Sequence, residues 1–215
     1  MSYLQQLKRQ AQTLQSEKGE SEQGLDIRFR ATELACQQVW NYFGELARQL
    51  NVIEPPAHHL GLDKRAPWTG MCQRSFRFDA RKKRLRDREA FDYLALGWEL
   101  VPRDGQVRKG RTLVNFPPDL ERVEKRLAAG HVPHERLEQR HPETNALQAF
   151  VFEFDLTARA SVLVTADHDE GCLQFRLACV GGMEVVQKRV AAEEVDGGLL
   201  DELARLIVGD ANHFL

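Results

Sequence analysis

The spacing of apolar residues near the N-terminus predicts two helices with a joint between them. Apolar side chains recur at steps of three and four over residues 2–17, which is typical of an amphipathic helix. This narrow stripe consists of Leu4, Leu7, Ala11 and Leu14. The polar stretch 16–24 contains two glycines and no apolar residue, so we expect a flexible joint there. A second, longer helix is predicted over residues 26–51, where apolar residues return to one face.

From residue 74 onward, apolar and polar residues alternate, which is the pattern of strands with one buried face. The predicted strands cover residues 74–81, 91–101, 107–114, 150–155, 162–166, 173–179 and 183–190. We expect residues 91–101 and 107–114 to pair as a hairpin, because a short turn containing Asp-Gly joins them. Further helices are predicted over residues 117–130 and after residue 196, and residues 131–144 are expected to be a polar connector.

This order of elements predicts an α+β fold, in which an antiparallel sheet of about six to seven strands has one face covered by helices. Short connections between consecutive strands favour antiparallel pairing. Two N-terminal helices are expected to precede the sheet. We divide the chain into an N-terminal helix with a flexible joint, residues 1–24, and a single α+β domain, residues 25–215. The expected core face of the sheet is marked by Phe76, Trp98, Phe152 and Phe175.

The composition excludes several broad classes of protein. The chain has 215 residues, of which 42% are hydrophobic, and its formal charge is −2, as in ordinary globular proteins. No apolar stretch approaches the roughly 18 residues that a membrane-spanning helix needs, and the first residues lack the apolar centre of a secretory signal. We therefore expect a cytoplasmic protein that does not enter a membrane. Its four dispersed cysteines are expected to be reduced and buried in the core.

The sequence contains none of the linear motifs that identify common nucleotide, zinc or calcium sites or serine nucleophiles. Three histidines between residues 131 and 141 suggest a metal site, but Pro133 interrupts them and solvent-exposed histidines are the simpler interpretation. The acidic residues around His168 are explained by a tight turn. We therefore assign no cofactor, no metal and no catalytic residue, and we favour a protein without enzymatic activity.

The densest cluster of charge is the segment 74–88, where eight basic residues oppose two acidic ones. Lys82, Lys83 and Arg84 at its centre are candidate contacts for the phosphate groups of nucleic acid. However, the chain as a whole is slightly acidic, and no stacking aromatic side chains are interleaved with residues 81–88. Nucleic acid is therefore the least favoured of the partners that we consider.

The polar face of the predicted sheet supplies a second set of candidate residues. Alternation places Arg77, Glu153, Asp155 and Arg176 on the side opposite the core. Arginines in such a position bind carboxylate or phosphate groups through paired hydrogen bonds, so an anionic small molecule is a candidate ligand. An ordinary hydrated surface is the simpler alternative, because an antiparallel sheet tolerates water on one face.

Three hypotheses for function follow from these patterns. The favoured hypothesis is a non-enzymatic interaction or regulatory protein that associates with itself or with a protein partner through its N-terminal helices. The alternative is a small-molecule binding protein or enzyme with its site on or beside the sheet. The third is nucleic-acid binding through residues 81–88.

Overall fold

The computed structural model describes the backbone of residues 3–63 and 66–215, and the side chains of residue 8 and of residues 22–63 and 66–215. Within these residues the fold is α+β, with helices and strands that alternate irregularly along the chain. The elements are α1 (Tyr3–Ile53), β1 (Met71–Leu85), β2 (Arg88–Pro102), β3 (Lys109–Val114), α2 (Pro117–Ala129), β4 (His134–Arg140), β5 (Leu147–Asp155), β6 (Ala158–Asp167), β7 (Cys172–Ala178), β8 (Val185–Ala191) and α3 (Gly197–Val208).

One continuous helix, α1, takes the place of the two helices predicted at the N-terminus. The expected break at residues 16–24 was wrong because Gly19 and Gly24 each cost only about 1 kcal/mol inside a helix. The same stretch also contains Glu, Lys and Gln, which favour helix, and it contains no proline. The side chains of the predicted Leu4–Leu14 stripe lie outside the described residues. Among the described side chains of α1, the buried ones are Phe29, Thr32, Ala35, Cys36, Val39, Phe43, Ala47 and Leu50.

The larger sheet has five strands in the order β1-β2-β6-β7-β8, and all neighbouring strands are antiparallel. One face of this sheet belongs to the hydrophobic core, which it shares with α1 and α3. Leu96, Val162 and Leu177 lie side by side on that face and are almost completely inaccessible to solvent. The predicted α+β fold with a main antiparallel sheet is confirmed, and the face of this sheet opposite the core carries Arg77, Ser161 and Arg176.

The remaining three strands form a separate sheet in the order β3-β5-β4, so the described part of the chain has eight strands in two sheets in place of the six to seven predicted in one. β3 pairs with β5 and not with β2, which corrects the predicted hairpin. β4 lies in the segment that we expected to be a connector. All seven residues of β4 are exposed, so its sequence carries no alternation of apolar and polar positions. Phe152 of β5 is buried in this smaller sheet.

The buried thiols confirm one expectation from the sequence. All four cysteines are free and buried. Burial raises the pKa of the Cys36 thiol to about 12, with a smaller contribution from the Glu33 carboxylate, and burial raises the pKa of Cys179 to about 11. Such thiols stay protonated at neutral pH.

No helix among the described residues is long and apolar enough to cross a membrane.

Candidate anion-binding groove

The polar face of the larger sheet contains a row of small residues that runs across neighbouring strands. Gly97 of β2 lies beside Ser161 of β6, and Ser161 lies beside Ala178 of β7. Directly opposed residues in antiparallel strands point to the same face, so these positions share one floor. Arg77 of β1 ends the row, because it pairs with Gly97. Short side chains in the middle of the sheet leave a depression above them.

Three arginines from three different strands surround this floor, and we call the depression the sheet groove. Arg77, Arg159 and Arg176 all line it, together with the three small residues, and its volume is about 460 Å³. Arg159 and Arg176 lie two residues from Ser161 and Ala178 respectively, on the same face. Standard strand spacing then separates the three Cα atoms by roughly 12–16 Å. The groove is therefore wide enough for a small organic anion.

One wall of the sheet groove is built by the C-terminal end of α2. Ala128, Ala129 and His131 line the groove there, and Ser75 lines it on the side of β1. Ser75 and His131 both have left-handed backbone conformations, with φ values of 59° and 48°. Such conformations cost about 1–3 kcal/mol in residues other than glycine, and they are enriched at functional sites. Two strained residues therefore border the same depression.

Ser75 owes its conformation to a bulge in β1. The β1–β2 register shifts between Arg74 and Arg77, where two residues of β1 stand opposite Trp98 of β2. A bulge of this kind bends the strand and re-aims the side chains on either side of it. Here it exposes Ser75 while keeping Phe76 buried, and Arg77 stays on the polar face.

The charges in the sheet groove are unbalanced. Among the described residues, none of the three arginine side chains makes an ion pair or a hydrogen bond. Glu99, the cross-strand neighbour of Arg159, is the acidic side chain that lines the groove. Three guanidinium groups against one carboxylate leave a formal charge of +2 with His131 neutral. All three arginines are exposed.

A second depression of about 730 Å³ continues from the sheet groove along α2. The two share Arg176 and the end of α2 at Ala128 and Ala129. Arg122 and Lys125 add positive charge to its wall, although Asp119 and Glu121 on the same helix pair with them at 2.8 and 2.6 Å. These are exposed pairs between helix neighbours, which contribute little stability.

The structure separates the four ligand-binding residues proposed from the sequence into two groups. Arg77 and Arg176 lie on one face of the larger sheet and line one groove. Glu153 and Asp155 belong instead to β5 of the smaller sheet. Glu153 lies 3.8 Å from Arg111, and Asp155 lies 3.4 Å from Lys109, so each carboxylate is neutralised by its cross-strand neighbour. The predicted set of four therefore does not converge.

The basic segment 81–88 forms the tip of the β1–β2 hairpin, and nearby carboxylates compensate its charges. The ion pairs are Arg81–Asp92, Lys82–Glu89, Lys83–Asp92, Arg84–Asp87, Arg86–Asp169 and Arg88–Asp26. The hydrogen bond from Arg88 holds the pKa of Asp26 below its usual value, and the bond from Lys83 does the same for Asp92. Phosphate binding here would have to displace these carboxylates.

The histidines of the connector do not form a metal site. No group of three or more histidine, cysteine, aspartate or glutamate side chains converges within the part of the chain that the structure describes. His134 Nδ1 lies 2.8 Å from the carbonyl of Val132, and His141 accepts backbone hydrogen bonds from its own turn. His168 is buried and contacts Glu33 of α1 at 2.8 Å, which ties the β6–β7 turn to the helix.

Sequence reasoning missed Arg159 and the role of His131 in the groove. The alternation Arg159, Ser161, Leu163 places Arg159 on the polar face of β6, so the signal was present in the sequence. What the sequence lacked was the strand order that brings β6 between β2 and β7.

Comparison with known proteins finds no match to a family model, to a curated protein or to a solved structure.

Proposed function

We propose that this protein binds an anionic small molecule carrying two or more negative charges in the sheet groove. Arg77, Arg159 and Arg176 hold the anionic groups, and the floor of Gly97 and Ser161 lets the ligand approach the sheet. The observation that carries this proposal is the clustering of three guanidinium groups without carboxylate partners around one depression.

The contrast with the hairpin tip supports this assignment. Six basic residues there each have a carboxylate within ion-pair distance. Unpaired like charges on one concave surface repel one another and raise the local potential, which an incoming anion relieves. Guanidinium groups bind phosphate and carboxylate oxygens with two parallel hydrogen bonds, so they are suited to this task. The net charge of the groove favours ligands with at least two negative charges.

Thermal unfolding with a panel of anions tests the proposal. Full-length protein is heated with inorganic phosphate, pyrophosphate, tripolyphosphate or citrate, each against chloride at matched ionic strength. A ligand present at 100 times its Kd stabilises the folded state by about 2.7 kcal/mol, which raises the Tm by roughly 5–10 °C in a chain of this size. We expect such a rise with the multiply charged anions.

A matched pair of triple variants separates specific from general electrostatic binding. Replacing Arg77, Arg159 and Arg176 by Ala removes three unpaired charges, and we expect it to abolish the rise in Tm. Replacing Lys82, Lys83 and Arg84 by Ala removes the same charge from paired positions, and we expect the rise to persist. Equal losses in the two variants, or no stabilisation of the wild type by any anion, would refute the proposed site. If only the variant of Lys82, Lys83 and Arg84 loses the rise in Tm, the result would favour anion binding at the hairpin tip and the nucleic-acid hypothesis.

Self-association through α1 is a second candidate function, and two observations support it. α1 has 51 residues, which corresponds to a length of about 76 Å, and among the side chains of α1 that the structure describes the first buried one is Phe29. Ile27 and Leu34 are both 63% exposed and lie seven residues apart, so they are on the same side of the helix. Apolar side chains at heptad spacing favour packing against a second helix, and a second copy of this chain is the partner we infer.

Light scattering tests this second function directly. The full chain is expected to have the mass of an oligomer at micromolar concentration. A variant that lacks residues 1–24, or one that carries Ile27→Glu and Leu34→Glu, is expected to have a lower mass. A full chain that is monomeric, or masses that neither change lowers, would exclude self-association through α1.

A further inference from the structure

Two buried polar atoms lack partners in the core beneath the larger sheet. Among the described residues, Gln73 Oε1 and Trp98 Nε1 are the buried side-chain atoms without a hydrogen bond. Their residues are only 4% and 3% exposed. A glutamine oxygen accepts hydrogen bonds and an indole nitrogen donates one, so the two atoms are complementary. Buried polar groups in native proteins nearly always have a partner, either in the protein or in bound water.

The orientation of the Gln73 amide is fixed by its neighbours. Its nitrogen donates to the carbonyl of Ile207 at 2.7 Å and to the carbonyl of Pro56 at 3.3 Å. Both partners are acceptors only, so exchanging the nitrogen and oxygen of the amide would place three acceptors together. The oxygen must therefore face away from these carbonyls.

Gln73 and Trp98 line the same small cavity between the sheet and the last turn of α3. The cavity volume is about 30 Å³, which is the space that one water molecule occupies in the liquid. Leu100, Val180 and Ile207 supply apolar walls, and the exposed residues His58 and His59 also line the cavity. The complementary atoms of Gln73 and Trp98 are its buried, unpartnered polar groups. A cavity of this size and polarity is too small for an organic ligand.

We propose that this cavity is a binding site for one water molecule. The water accepts a hydrogen bond from Trp98 Nε1 and donates one to Gln73 Oε1, so both buried atoms are satisfied. Through Gln73 the water joins β1 and β2 to the carbonyl of Ile207 at the end of α3. The site involves none of the groove arginines and is independent of the proposed ligand.

Solution NMR of the ¹⁵N-labelled full-length protein tests the proposal. The indole signal of Trp98 is assigned by its loss in Trp98→Phe, and a magnetisation-transfer experiment from water is recorded. We expect a cross peak between the Trp98 indole proton and water, with the sign that a long-lived bound water gives. Trp68 is also buried but does not line this cavity, so it is the matched control and is expected to lack a peak of that sign. No bound-water peak at Trp98 would overturn the proposal.

A second variant and a second method make the test independent of folding problems. Gln73→Met removes the acceptor at similar side-chain length, and the bound-water peak at Trp98 is expected to disappear while the indole signal remains. Persistence of the peak would exclude Gln73 as the bridging partner. Should this variant not fold, a high-resolution crystal structure of the wild type decides the matter. Electron density for an oxygen atom at hydrogen-bond distance from both atoms is expected, and an empty cavity would contradict the proposal.

Discussion

The side-chain amide of Asn51 on α1 binds both backbone groups of Phe76 in β1. The N–H of Phe76 donates to Asn51 Oδ1 at 2.7 Å, and Asn51 Nδ2 donates to the carbonyl of Phe76 at 2.9 Å. The bulge beside Phe76 takes these groups out of the regular β1–β2 ladder, and Asn51 replaces the missing strand partner. The helix thereby fixes the bulge that presents Ser75 and Arg77 to the sheet groove.

Replacing Asn51 by Ala is expected to lower the free energy of unfolding by about 1–3 kcal/mol, because two backbone groups lose their partner. Gln49→Ala is the control, since the Gln49 amide only contacts Glu45 on the same exposed helix turn. We expect that control to change stability by less than about 0.5 kcal/mol. Urea unfolding of both variants checks this prediction. Equal stabilities would show that the Asn51 bonds contribute nothing to the bulge.

Replacing Glu99 by Gln is expected to tighten anion binding. The Glu99 carboxylate lines the sheet groove and repels an incoming anion, so neutralising it should raise the affinity by about two- to fivefold at low salt. Glu153→Gln is the matched control, because Glu153 lies on the smaller sheet beside Arg111. Titration of tripolyphosphate into both variants measures the effect. An unchanged or weaker affinity for Glu99→Gln would place the anion elsewhere.

Substitutions of two adjacent residues at the end of α2 are expected to change the free energy of unfolding in opposite directions. His131 occupies the left-handed position, which glycine adopts more easily, so His131→Gly should raise the free energy of unfolding by roughly 0.5–1 kcal/mol. Gly130 has a negative φ, but a Cβ there would lie 3.1 Å from Ala158 and 3.2 Å from Met183. Gly130→Ala should therefore destabilise the fold by about 1–3 kcal/mol. Thermal unfolding that ranks the two variants in the reverse order would contradict this account of the turn.

The buried Cys36 thiol makes stability depend on alkaline pH. Its pKa in the folded state is about 12, whereas a thiol in the unfolded chain titrates near ~8.5. Below pH ~8 the thiol is protonated in both the folded and the unfolded state, so its ionisation does not change the stability. Above that range only the unfolded state loses its proton, so stability falls as the pH rises, by up to about 1.4 kcal/mol per pH unit.

The Cys36→Ala variant isolates this contribution. Urea unfolding under reducing conditions is measured for wild type and variant between about pH 8 and pH 10.5. We expect the wild type to lose its stability advantage over the variant as the pH rises. A difference that stays constant across this range would mean that the Cys36 thiol ionises as easily in the folded state as in the unfolded chain.

The elements that the sequence predicts well are those whose signal lies within the element itself. Alternation in β1, β2 and β7 correctly puts Phe76, Trp98 and Phe175 in the core, because each strand of the larger sheet has one buried face. β4 gives no such signal, since both of its faces are exposed. The glycines of residues 16–24 suggested a break in the helix, but glycine alone does not end a helix, and α1 continues through Gly19.

Pairing between distant segments is the part that the sequence leaves open. A short turn favours a β2–β3 hairpin, yet both edges of β2 are occupied by β1 and β6, and β3 pairs with β5, about 40 residues away. The same limitation affects the groove. Alternation places Arg77 and Arg176 on polar faces, but only the strand order adds Arg159 to them and assigns Glu153 to a different sheet.

Calorimetric titration of tripolyphosphate into the wild type and the Arg159→Gln variant tests the central claim most directly. Losing one charged hydrogen-bond donor from the groove is expected to weaken the affinity by about tenfold or more. Arg111→Gln, which removes a charge from the smaller sheet, is expected to bind as the wild type does. A wild-type protein that takes up no anion, or an Arg159→Gln variant that binds as tightly as the wild type, would contradict the account.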